Sequence, residues 1–167
     1  AAWYLPEERQ LTTTEQMKDE ICAALGGRAA ESLFFDKVST GALSDLEKVT
    51  KQAYAMVSIY GLSQKLGNIS YYDSSGQNTG FTKPYSEERA KLIDSEVSSL
   101  IEEQYNRALS VLKKNKKKVE ELANALLTNE VIFKDNLISI FGARKWKSYD
   151  EEKLEETDSK TTKKKSS

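Results

Sequence analysis

Histidine is missing altogether from this 167-residue chain. With it go the Ser-His-Asp triad, the Cys-His pair and any His-based zinc site built from this polypeptide alone, since each needs an imidazole as base or ligand. A single cysteine, Cys22, excludes an intrachain disulfide, and a thiol on the apolar face of a helix is ordinarily part of a core. No apolar run approaches the roughly 20 residues a membrane-crossing helix needs, and the opening residues lack the pattern of a signal peptide. Charge of one sign is lacking too. With 25 Lys and Arg against 26 Asp and Glu, the net charge is −1, which argues against a nucleic-acid partner, whose binding would come largely from phosphate neutralisation. What remains is 38% hydrophobic and 31% charged, the balance of a helix-rich domain with a modest core. Ala1-Ala2-Trp3-Tyr4-Leu5-Pro6 has no initiator Met and reads as the interior of a longer protein, with an edge strand expected before Pro6.

The spacing of apolar residues predicts a mainly α protein with a long helical hairpin and one or two short strands. Thr12 with Glu15, or Thr13 with Gln16, can form a capping box, so a first helix is expected from near Thr13, burying Met17, Ile21, Ala24 and Leu25. Gly26-Gly27 interrupts it at about 1 kcal/mol per glycine relative to alanine. Because Arg28 to Phe35 resumes helical spacing at once, we expect one continuous helix whose missing side chains admit a close neighbour. Ser39-Thr40-Gly41-Ala42-Leu43-Ser44-Asp45-Leu46 opens the next helix, with Leu46, Val49, Ala53, Met56, Val57 and Tyr60 on its buried stripe and Gly61 as its stop. A strand is expected at 68–72 and a polar surface loop at 73–80. Ser86, followed by Glu87 and Glu88, caps the longest helix, which carries Ile93, Val97, Leu100, Ile101, Tyr105, Ala108 and Leu112 to about Lys114. Past a lysine-rich turn at Asn115 comes a second helix with Val119, Leu122, Ala123, Leu126 and Leu127, the partner in a hairpin. Val131-Ile132-Phe133 reads as an extended connector, and Asp135 or Asn136 as the cap of a last short helix ending at Gly142. Residues 1–144 are expected to form the domain. In 145–167, Lys, Glu, Asp, Thr and Ser leave too little to bury, and a disordered tail is expected.

Asp45 is the residue with chemical potential. Read from its surroundings alone it has two roles open to it: a helix cap complementing the dipole, or a carboxylate ligand for a metal whose other ligands lie elsewhere. Glu31 likewise stands either as a second acid near Asp45 or as a partner for Arg28, three residues earlier on the same helix.

Several stretches, in order, resemble the peptidase domain of the FtsH family of membrane-anchored, ATP-dependent zinc metalloproteases. They are Tyr4-Leu5-Pro6-Glu7-Glu8, Leu25-Gly26-Gly27-Arg28-Ala29-Ala30-Glu31, Ser39 to Leu46, Gly61-Leu62-Ser63-Gln64-Lys65-Leu66-Gly67 and Lys83-Pro84-Tyr85-Ser86. In that family an H-E-x-x-H helix gives two histidine ligands and a general-base glutamate. The third zinc ligand is the aspartate of a T-G-A-x-x-D segment, which corresponds to Asp45. Three protein ligands leave zinc one position for a water whose pKa falls toward neutrality. The resemblance makes Thr40, Gly41 and Glu31 supporting residues, with the backbone N–H groups of Thr40-Gly41 expected to orient Asp45. It implies Zn2+ as cofactor, with ATP and Mg2+ in an ATPase module. It also implies protein substrates, a homo-hexamer, and a bacterial cytoplasmic membrane with the peptidase domain facing the cytoplasm, or alternatively an organellar membrane. H-E-x-x-H is not in this sequence, so the 167 residues by themselves are expected to be inactive. The competing reading is a non-enzymatic helical adaptor or assembly domain.

Overall fold

The structure, a computed structural model, describes residues 11–71 and 85–143. Among them the protein is helical with no strand, as the mainly α expectation requires. Helix α1 (Thr14–Ala24) starts where the capping box predicts. Thr13 is extended, its Oγ1 accepts the Gln16 N–H at 3.3 Å, and Gln16 Oε1 accepts the Thr13 N–H at 2.8 Å. Two N–H groups that the helix start leaves without a partner are thereby satisfied.

The continuous helix expected across Gly26-Gly27 is instead two. The chain turns at Leu25, and α2 (Gly26–Phe35) departs from there. Leu25 N–H still reaches Ile21 O, and Ala29 N–H reaches Leu25 O, each at 3.0 Å, so the change of direction loses little hydrogen bonding. Leu25 is buried in the core while the two residues after it have the weakest helix preference short of proline, so the bend falls beside the anchor. Among the described residues no close neighbour uses the missing side chains: a Cβ on either glycine would meet none of them within 4 Å.

Asp36, in the left-handed conformation that Asp tolerates better than most residues, turns the chain out of α2. A 3-10 turn (Thr40–Ala42) leads into α3 (Leu43–Tyr54), and a π turn (Ala55–Ile59) completes that helix. Val49, Ala53, Met56 and Val57 are buried as expected, but Tyr60 is 59% exposed. The extra residue in the π turn delays the helical phase and carries Tyr60 off the stripe. Ser58 Oγ donates back to Tyr54 O at 2.6 Å, a side-chain bond that competes with the helix ladder and bends it. The freed Ser58 carbonyl accepts the Tyr71 N–H at 2.8 Å. Positions 68–71, expected to be a strand, form none among the described residues.

Helix α4 (Glu87–Lys114) is capped by Ser86, whose Oγ accepts the Arg89 N–H at 3.3 Å. It packs against α1, α2 and α3. Ile21, Leu25, Val49, Ala53, Met56, Val57, Leu66, Ile93 and Val97 make the core, each of the larger residues contributing about 1.5–3 kcal/mol by leaving water. Polar ties pin the helices around it. Gln52 donates to Glu20 at 2.7 Å, Tyr54 OH to Asp94 at 2.5 Å, and Arg107 pairs with Asp19 at 2.5 Å. Arg107 also donates to Oε1 of the buried Gln104 at 3.3 Å, while the Gln104 amide donates to Glu103 at 3.0 Å. This core belongs to one compact unit, Thr12–Lys116.

Lys117 onward belongs to a second unit. Asn115 ends α4, its side-chain amide donating to Val111 O at 2.9 Å, and α5 (Lys116–Asn129) starts at the next residue. Lys113 and Lys114 suit the C-terminal dipole of α4. The last helix, α6 (Lys134–Phe141), is capped from Phe133. Asn136 Oδ1 reaches back to accept the Phe133 N–H at 2.9 Å, and Asp135 sits in the first turn, so neither is the N-cap expected of them. Gly142 ends α6 as expected. The edge strand before Pro6, Tyr72, the loop at 73–80, Lys83-Pro84 and the tail from 145 lie outside the described residues.

Candidate functional site

Arg28 and Glu31, three apart, project from the same face of α2, and the turn at Asp36 brings Ser39 back beside them. Both grip that residue. Arg28 Nη1 donates to Ser39 O at 2.8 Å. Glu31 takes the Ser39 N–H on Oε2 at 3.0 Å and the Ser39 hydroxyl on Oε1 at 2.5 Å. Those two donors, from the Ser39 hydroxyl first and its N–H second, hold the Glu31 carboxyl below the usual glutamate range, since hydrogen bonds to the ionised form favour it. Ser39 Oγ in turn accepts the Gly41 N–H at 3.2 Å, and Leu43 N–H closes the turn on Thr40 O. A Cβ at 41 would stand 3.2 Å from Ser39 Oγ, a tight contact that the hydroxyl would have to yield to.

Asp45 lies three residues into α3, exposed to solvent. Of the two roles open to it, capping goes elsewhere: Ser39 caps the 3-10 turn, and Ala42 stands at the N-cap position of α3 without a side-chain bond. Asp45 complements the dipole but accepts no hydrogen bond and forms no ion pair among the described residues. Of the Thr40-Gly41 pair expected to orient it, the Gly41 N–H goes to Ser39 Oγ. Glu31, for its part, is tied to Ser39, which Arg28 also holds, and feels the Arg28 charge. Ser39, which joins the predicted Glu31, Gly41 and Asp45 segments, is the residue that sequence reasoning missed as a functional element. Its signal was present in its position just before the Thr40-Gly41 turn, the place of a side-chain cap.

As a zinc site the described residues fit in one donor and fail as a set. A free, exposed carboxylate held on a helix is a good single ligand. A zinc site needs three or four, however, and the described residues hold no group of three His, Cys, Asp or Glu able to share a metal. A groove of about 520 Å³ lies elsewhere, between α1, the segment around Ser63 and α4. On its wall Ser63 Oγ and Lys65 Nζ donate to Glu96 at 2.9 and 2.6 Å, and these bonds, Lys65 first, hold Glu96 below the usual glutamate range. Asp45 does not line it. Cys22 is half-buried, and burial pushes its thiol up, away from the reactive thiolate.

The profile of peptidase family M41 matches residues 1–140. The chain is 61% identical over 155 residues to the ATP-dependent zinc metalloprotease FtsH of Parabacteroides distasonis, covering 93% of this chain and 23% of that protein. It is 58% identical over 141 residues to the FtsH of Karelsulcia muelleri, covering 84% of the chain and 23% of the relative. To the mouse mitochondrial inner membrane m-AAA protease component AFG3L1 it is 45% identical over 160 residues, 95% of the chain and 20% of the relative. The chain thus spans under a quarter of the length of these relatives.

Proposed function

Because the chain belongs to peptidase family M41, the peptidase domain of FtsH-type proteases, we propose that the protein carrying it is an ATP-dependent zinc metalloendopeptidase degrading protein substrates, with Asp45 as one zinc ligand. The observation that carries Asp45 is its freedom. It is an exposed carboxylate on the first turn of a helix, spared from capping and from every ion pair among the described residues. Its other ligands and the general base come from outside these 167 residues, which have no histidine. Zinc, once bound, supplies a Lewis acid and a water activated near neutral pH. This chain's contribution is to hold one ligand on a rigid helix and to shape the wall beside it.

Several finer features belong to the same reading. ATP and Mg2+ act in an ATPase module elsewhere in the protein. The whole assembles as a homo-hexamer on a membrane, bacterial cytoplasmic with the peptidase facing the cytoplasm, or organellar. The relatives, one a mitochondrial inner membrane protease component, support a membrane setting. Residues 1–144 form the peptidase part and 145–167 a charged tail. The 167 residues alone bind zinc weakly or not at all and cleave nothing.

The test is Asp45→Asn in the full-length protein. Zinc per chain after dialysis and the rate of casein degradation should both fall at least about tenfold, the usual scale for weakened metal ligation. Full zinc content with unchanged casein degradation removes Asp45 from the site.

A further inference from the structure

We draw no further inference here: the strongest candidate, the groove between α1, the segment around Ser63 and α4, has both of its lysines paired within its own walls, Lys18 with Glu15 and Lys65 with Glu96, and nothing in the structure shows what covers it.

Discussion

Replacing glycine by alanine at two places in this chain should move stability in opposite directions, and the structure says by how much. Gly61 ends the π turn with φ +63, and a Cβ there would stand 3.3 Å from Ile69 O and 3.4 Å from Ile69 N. The left-handed conformation costs an L-residue roughly 1–2 kcal/mol. The contact adds to that, because both facing atoms are backbone. They cannot rotate away, and the segment they belong to is tied down by Ile69 N–H to Gly67 O at 2.9 Å and Tyr71 N–H to Ser58 O at 2.8 Å. Against this, alanine restricts the unfolded chain by about 0.4–1 kcal/mol. Gly61→Ala should therefore cost about 1–3 kcal/mol net. Gly26 is helical with open space around it, so Gly26→Ala keeps only the favourable side and should stabilise by about 1 kcal/mol. Urea denaturation at constant slope measures both. Melting temperatures should move by roughly 2–4 °C per kcal/mol for a chain of this size. A Gly61→Ala protein as stable as its parent would refute the strain argument. A Gly26→Ala protein that is destabilised would show a neighbour packed on that glycine and overturn the open face.

Glu96, held below the ordinary glutamate range first by Lys65 and then by Ser63, stabilises the fold fully above the unfolded glutamate pKa. That contribution is lost as pH falls through the lower folded value. Urea midpoints across the acid range should fall less steeply in Glu96→Gln than in the parent, and identical slopes would refute the linkage. Thr13→Ala removes the hydroxyl half of the α1 capping box and should cost about 1 kcal/mol, with Thr13→Ser keeping most of it. Equal urea midpoints for Thr13→Ala and the parent would show that α1 does not depend on its cap.

Features written in a few adjacent residues were legible in advance. Thr13 with Gln16, Ser86 before Glu87 and Glu88, and Gly142 after the last apolar turn each start or stop a helix by short-range chemistry, and each does so in the structure. Leu46 to Val57 announced its buried stripe through spacing alone. Features decided at a distance were not legible. The bend fell at Leu25, one residue ahead of the glycines, because Leu25 is anchored in a core assembled from four separate stretches. The segment at 68–71 had the composition of a strand but forms no ladder among the described residues. At the candidate site, Asp45 and Glu31 were identifiable as acids in the right segments. Their connection was not, because it runs through Ser39 across an eight-residue excursion whose path depends on the left-handed Asp36. Periodicity shows which face a residue takes, and says nothing about which loop returns to it.

The π turn at Ala55–Ile59 makes the length of this segment unusually consequential. It accommodates one residue more than a regular helix would within about the same turn, so a single-residue deletion there would let the ladder close as ordinary α-helix. Ser58 would then spend its carbonyl inside the helix and leave the Tyr71 N–H without its acceptor. The surplus residue thus leaves the Ser58 carbonyl open as the seat for the Tyr71 N–H. A shortened variant would keep its helix content while losing the seat of its neighbour.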